Sequence, residues 1–498
     1  MRSSYVLRAS ALSLVTGLGA AILGIACDGV ANHSDCLDFA TCPGLADGAV
    51  VGDGPADGGE GGIVVPPGCD LTKPVADSPE CVDDAVGVFV APSGDDGAPG
   101  TKARPVRSLT KAAELAGASS RPRMYVCAGT YNESVEVKRA LSIYGGFTCA
   151  GGQWQRTGAG VSWSAAKPAF ALRVVGAAES VVIDSVEIAA KPGAAPGESS
   201  FGVWIADSAD VRFESTTVLA ANAANGETKL PKAAAPNAAK GGAAANPIGG
   251  TGSKNTCPDG DSTGGTGGTI GANDATAGQP ALGGGAAGAV ATDCNAGGGG
   301  GTGTGGNDGA IASVSTALGE LTATTWTPAP GSDGKPGTRG QGGGGGGARS
   351  GAGGGGGAGG CGGAGGAGGG GGGASVAVAV FSSKVTFVKS RLTAATAGDG
   401  GGGAGGQPGQ PPGGGGSPGT GNPFDGCAGG QGGPGGNGGA GAGGAGGVSA
   451  AILFKGASAP TVTDTTITKG TAGAKGTGGN AAGNDGPAGV AEEVFEVK

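Results

Sequence analysis

Four stretches decide the fold: ALRVVGAAESVVIDSVEIAA at residues 171–190, GVWIADSADVRFESTTVLA at 202–220, VAVAVFSSKVTFVKSRLTA at 376–394 and AAILFKGASAPTVTDTTIT at 450–468. Each reads as an alternating strand, a small-residue corner, a second alternating strand and a short third one. Val181, Val211 and Val385 share a column in which the last copy has Pro460. Ile183, Phe213, Phe387 and Val462 share the next inward column, and Ile188, Val218, Leu392 and Ile467 a third. Period-2 alternation of β-branched and aromatic residues predicts strands, not helices. One copy alone cannot bury its apolar face, so the copies must stack, and stacked three-strand coils are the rungs of a parallel β-helix.

The intervals between copies carry the rest of the organisation. From Val181 to Val211 is 30 residues, from Val211 to Val385 is 174, and from Val385 to Pro460 is 75. The surplus always enters after the same part of the rung. The glycine-rich insertions 222–374 and 395–447 and the tail 469–488 are therefore expected to leave one side of a continuous coil running from residue 86 to 498, where added length is tolerated. Glycine makes up 121 of the 498 residues. Runs such as GGGGGGARSGAGGGGGAGG offer almost nothing to bury, so the expectation is flexible, solvated loops. The alternative is packed extended polyglycine or polyproline-II-like strands pinned by Cys257, Cys294, Cys361 and Cys427. Glycine is not held at every third position as in collagen. Within the first insertion, 317–327, with Leu318, Leu321 and Trp326, is the stretch expected to order itself.

Upstream, the strand VGVFV at 86–90 precedes GDDGAPGTKARPVRSLTKAAELAG and MYVCAGTYNESVEVKRALSIYGGF. Ser108 is placed to cap a helix carrying Leu109, Ala112, Ala113 and Leu115 and closed by Gly117. Such a helix would cover an open end of the coil. The run Gly94 to Pro105, with Gly129-Thr130-Tyr131-Asn132-Glu133 and Leu141-Ser142-Ile143-Tyr144-Gly145-Gly146-Phe147, resembles the opening turns of bacterial right-handed parallel β-helix proteins of the pectin-lyase-like type. The likeness covers roughly 86–220 and the two later rungs. It implies an all-β, right-handed parallel β-helix with an N-terminal capping helix. That fold hosts polysaccharide lyases and hydrolases, but fold alone licenses no activity.

The first 26 residues place Arg2 and Arg8 ahead of an apolar run that closes on small residues, the plan of a secretory signal. Gly24-Ile25-Ala26-Cys27 resembles the lipobox of bacterial lipoproteins, with Leu23 one place further from the cysteine than is usual. The resemblance implies lipidation of Cys27, membrane attachment through that lipid, and an outer-membrane or cell-surface location. If Cys27 is not lipidated, the protein is periplasmic or secreted. Residues 27–85 then read as a linker with small cysteine loops.

Parity agrees with a modified Cys27. Eleven cysteines are an odd number, and setting Cys27 aside leaves Cys36, Cys42, Cys69, Cys81, Cys127, Cys149, Cys257, Cys294, Cys361 and Cys427 to pair. They fall in successive couples, so neighbour-to-neighbour disulfides are expected. A formal charge of -9, made more acidic by loss of the two signal arginines, excludes nucleic acid as a partner.

The chemistry-bearing residues are sparse. The single histidine, His33, lies in the linker, so no Ser-His-Asp or Cys-His arrangement forms on the coil, and no CxxC pair suggests zinc. No catalytic residue, metal site or cofactor is assigned. The pairs Asp83-Asp84 and Asp95-Asp96 read as solvated loop residues. Asp184, Glu214 and Asp464 form an acidic column broken by Val388, which reads as a solvent face in preference to a calcium site. Trp163, Trp204 and Trp326 are candidates for stacking on sugars. Trp204 either faces outward as a platform or lies in a strand buried on both sides. The expected function is a non-enzymatic, structural, adhesive or glycan-binding envelope lipoprotein, with a glycan or an envelope protein as partner. A polysaccharide-acting lyase or hydrolase is the alternative, and an ice- or surface-binding module the third.

Overall fold

Alternation places the apolar residues of each repeat on one face, and each repeat forms three short strands that join three different sheets. The computed structural model describes residues 64–272, 274–290, 293–456, 458–479 and 483–498, all within the compact unit Ile63–Lys498. Residues 1–26, expected to be a signal, and Cys27, Cys36 and Cys42 lie outside the described residues.

The first sheet runs Gly87–Val90, Arg123–Cys127, Ser142–Thr148, Ser180–Asp184, Asp210–Glu214, Val385–Val388, Thr461–Thr463, every neighbour parallel. The antiparallel strand Gln155–Ala159 branches from it. The second sheet stacks Gly129–Asn132, Val161–Ser164, Glu187–Ala189, Thr217–Leu219, Arg391–Thr393 and Thr466–Thr468. The third stacks Val135–Val137, Leu172–Val175, Ser200–Ala206, Ser375–Phe381, Ser449–Lys455 and Ala491–Glu496. From Leu172 onward the chain visits third, first and second sheets in repeated order. These mostly parallel strands fit a parallel β-helix.

The registers pair the residues of the three sequence columns. Val211 lies between Val181 and Val385, Phe387 between Phe213 and Val462, and Leu392 between Val218 and Ile467. The Phe213 and Phe387 rings stack with centroids 4.9 Å apart. Apart from Pro460, all three columns belong to one apolar core. Helix α1 (Leu109–Ser119) adds Leu109, Ala112 and Ala116 to that core. The Ser108 hydroxyl accepts from the Lys111 N–H, and the helix runs two residues past Gly117, ending at left-handed Ser120. Glu133 accepts from the Leu109 and Thr110 N–H groups, satisfying otherwise orphaned donors of the first turn.

The corner between first and second sheets is one left-handed residue wide: Ser185, Ser215, Lys389 and Asp464 have φ of 56, 47, 50 and 48°. This corrects the acidic column. Glu214 pairs with Asp184 and Val388, but Val388 pairs with Thr463. Asp464 sits one residue later, in the turn, where an aspartate tolerates positive φ better than a branched residue would.

The glycine insertions are packed, not flexible. Gly357, Gly360, Gly363 and Gly366 each donate to Gly430, Gly433, Gly436 and Gly439 at 2.9 Å. On a second side of the same strand, Ala358, Cys361, Ala364 and Ala367 accept from Gly413, Gln410, Gln407 and Ala404. On a third side, the carbonyls of Gly360, Gly363, Gly366 and Gly369 accept from Gly340, Gly337, Gly334 and Gly331. Bonds that recur every third residue on several sides are those of extended chains with three residues per turn, the polyproline-II geometry. They satisfy the backbone through lateral neighbours, so a segment with no side chains to bury need not stay solvated. A Cβ on Gly363 would lie 1.9 Å from the Gln407 carbonyl oxygen, and one on Gly365 1.9 Å from that of Gly334. Two positions in three must therefore be glycine, and the third carries Ala352, Ala358, Cys361, Ala364 and Ala367.

These strands keep the register of the coil from which they emerge. Asn222, Asn225 and Thr228 side chains accept from the N–H groups of Thr396, Asp399 and Gly402, each 174 residues away, the same interval that separates Val211 from Val385. Asp399 accepts from the Ala474 N–H across 75 residues, the next rung interval. The departure point is tied by buried serines. Ser200, Ser375 and Ser449 accept from the N–H groups of Ala221, Ala395 and Gly470, where each glycine tract begins.

The cysteine pairing also needs correction. Cys69–Cys81 and Cys127–Cys149 bridge sequence neighbours, but the bundle cysteines pair as Cys257–Cys361 and Cys294–Cys427, closing 104 and 133 residues. Glycine strands double back, so a cysteine lies beside one in a later strand and not beside its successor in sequence.

Two expectations follow for stability. Gly363→Ala should lower unfolding free energy by about 2 kcal/mol or more through overpacking, whereas Gly160→Ala, with nothing within 4 Å of the added Cβ, should stay within about 0.5 kcal/mol of wild type. Denaturant titration checks the pair. Replacing both Cys294 and Cys427 by Ser should cost about 3 to 5 kcal/mol for so long a loop. Hydrogen exchange should show loss of protection at Gly354 and Gly430 before the coil strands exchange.

Candidate binding cleft

Outer-facing apolar residues of the third sheet collect in a second cluster, separate from the core. The strand Ser200–Ala206 reaches it through a break in alternation at Gly202. Val203 and Ile205 point into the coil, while Phe201 and Trp204 belong to the outer cluster. Trp204 is thus in a strand buried on both sides, at 3 % exposure.

A hairpin from the first insertion covers it. Gly319–Leu321 pairs antiparallel with Trp326–Pro328, and Thr322 closes the turn by accepting from Thr325 and donating to its carbonyl. The stretch expected to order itself therefore does so by docking on the coil: Leu321 and Trp326 are buried beside Trp204. The Ala323 carbonyl is the clamp, accepting from Trp204 Nε1 at 3.0 Å and from Arg173 Nη2 at 3.1 Å. Phe201 meets Trp204 edge to face at 5.0 Å between centroids, and Arg173 lies 5.9 Å over the Phe170 ring.

Between hairpin and sheet remains a cleft of about 250 Å³, walled by Phe170, Phe201, Trp204 and Trp326 and rimmed by Glu198, Ser199, Thr324 and Thr325. An aromatic wall beside hydroxyls and a carboxylate can hold the apolar face of a ring while its polar edge bonds outward. The Glu198 carboxylate is held below its usual pKa by N–H donation from Ala194 and Ala195, and stays ionised. Sequence reading named Trp204 and Trp326 but missed Phe170, Phe201 and Arg173. The break at Gly202 hid Phe201, and no local pattern links Phe170 to a hairpin more than a hundred residues away.

The remaining candidates are placed elsewhere. Trp163 lies in the core and donates Nε1 to the Glu133 carbonyl. The carboxylates of Asp83, Asp84, Asp95 and Asp96 accept backbone N–H groups of loops. Asp184 pairs with Arg156 at 2.5 Å, and Glu214 pairs with Arg212. Among the described residues no group of three or more His, Cys, Asp or Glu could hold a metal ion, and no helix is long and apolar enough to cross a membrane.

A family model described as "Protein of unknown function (DUF1565)" matches residues 92–188, well short of half the chain. It is a parallel β-helix-type family. The matched segment holds α1, Glu133, the opening strands of the second and third sheets and the second to fourth strands of the first, ending just before the strand that carries Trp204. No curated protein and no solved structure matches the chain.

Burial pushes the Asp184 carboxyl above its ordinary range, and Arg156 and Ser185 pull it partly back. A carboxyl with a raised folded pKa stabilises fully below its unfolded pKa, and that contribution is lost as pH rises through the folded value. Asp184→Asn should therefore flatten the fall in melting temperature over that interval, measured as a series of thermal scans against pH.

Proposed function

We propose that the protein is a non-enzymatic cell-envelope lipoprotein, exported by residues 1–26, anchored through lipid on Cys27, and built as a right-handed parallel β-helix capped by α1. Its work is structural and adhesive: a coil and a glycine bundle of fixed register present a glycan-binding cleft away from the membrane. The observation that carries this reading is the aromatic cleft under the hairpin. Four aromatic rings converge there from segments held by the third sheet and by the first insertion. Its modest volume suits one sugar ring docking edge-on, with hydroxyls meeting Ser199, Thr324 and Thr325.

Rigidity is part of the proposal, because binding energy is not lost in ordering a site that is already ordered. Residues 222–374 would otherwise hold the hairpin on a flexible tether.

A glycan array probed with the mature protein tests it, alongside an assay for release of unsaturated or reducing ends. The expected result is binding to a defined set of neutral glycans without cleavage, weakened at least about tenfold by Phe170→Ala. Tenfold corresponds to about 1.4 kcal/mol, a modest figure for losing one stacked ring. Cleavage of a bound glycan would replace the reading with that of an enzyme. Metabolic labelling with a fatty acid, lost on Cys27→Ser, tests the anchor.

A further inference from the structure

A second groove lies on the outer face of the first sheet. It has about 740 Å³ of space between the segment carrying Val75, Pro79 and Val82 and the residues Phe147 and Trp154. Its floor continues into a buried aromatic cluster, with Trp154 edge to face against Phe89 at 4.8 Å and Phe147 against Tyr125 at 5.7 Å. Trp154 is fixed by its own N–H, which donates to the Lys102 carbonyl at 3.1 Å.

Charge distinguishes this groove from the sugar cleft. Its two charged lining residues are Lys102 and Arg156, and no carboxylate lines it. In a chain of formal charge -9 that local excess of cations is unusual. Arg156 is already engaged by Asp184. Lys102 is not: its backbone N–H donates to Asp84, but among the described residues its ammonium has no ion-pair partner and lies 5.9 Å over the Phe89 ring. A half-buried lysine beside flat apolar walls brings the groove a positive charge that no carboxylate lining it balances.

We infer that this groove binds an organic anion with a flat apolar body, the body against Trp154 and Phe147 and the acidic group on Lys102. The carboxamide of Gln153 supplies a further polar contact at the rim. Carboxylate, sulfonate and phosphate monoesters share the required chemistry. The inference is independent of the sugar cleft, which uses a different sheet and different residues.

The test uses the mature protein and two fluorescent probes with one aromatic body: anilinonaphthalene sulfonate, which carries the anion, and N-phenylnaphthylamine, which does not. The sulfonate should bind saturably at one site, more tightly than the neutral analogue. Lys102→Gln should weaken the sulfonate at least about tenfold, equivalent to about 1.4 kcal/mol, and leave the neutral analogue unchanged. Trp154→Leu should weaken both. Thermal melts of Lys102→Gln should match wild type, since the side chain is partly exposed and carries no ion pair. Equal affinity for the two probes would overturn the inference, as would no saturable sulfonate binding or a Lys102→Gln variant that binds it as wild type. Displacement of the sulfonate by a neutral glycan captured on the array would also overturn it, because the two ligands would then share one site.

Discussion

The structure depends on backbone groups approaching one another more closely than any side chain permits. In the glycine bundle the lateral N–H to carbonyl bonds recur every third residue, and a neighbouring oxygen stands about 2 Å from where a Cβ would be at most intervening positions. Burial without side chains yields little hydrophobic stabilisation, and glycine loses the most freedom on ordering. What offsets this is dense hydrogen bonding, two cross-strand disulfides, and a coil that fixes where each strand begins. The apolar coil and the glycine bundle are one stacking pattern with two fillings, since the 174-residue offset that joins Val211 to Val385 also joins Asn225 to Asp399.

That shared offset explains what could be read from the chain and what could not. The coil was legible because β-branched and aromatic residues mark its inward face at period 2, and Val211, Phe213 and Val218 have partners of the same kind in the next rung. The bundle was not, because glycine has no side chain by which a face could be recognised. The available signal was the recurrence of Ala352, Ala358, Cys361, Ala364 and Ala367 at multiples of three, the positions where a Cβ fits. Asn222 and Asn225 pointed the same way: aligned on the rung interval, they stand opposite Thr396 and Asp399. The misplacement of Asp464 has a simpler cause. Asp464 is itself the corner residue, and reading that corner as strand puts it in the column that Thr463 occupies.

The two grooves were partly legible. Trp204 and Trp326 are conspicuous in a chain with only 4 tryptophans, but that they meet depends on a hairpin folding back across the third sheet. Lys102 and Trp154 gave no signal, because their proximity comes from a turn outside any repeat. Sites built by insertions on a repetitive scaffold share this property. The repeat dictates where the chain returns, and says nothing of what the excursion carries.

The three-residue period of the bundle also bears on how such a chain can change in length. Each glycine strand touches several neighbours at once, and its bonding pattern is restored only after a full turn. A gain or loss within one excursion must therefore come in threes and be matched in the antiparallel strand beside it, or every alanine moves onto a carbonyl. The buried serines at 200, 375 and 449 fix the origin from which those threes are counted. Length variation between copies of such a gene would be read not as slack in a loop but as whole turns added at the far tip, where the strands reverse.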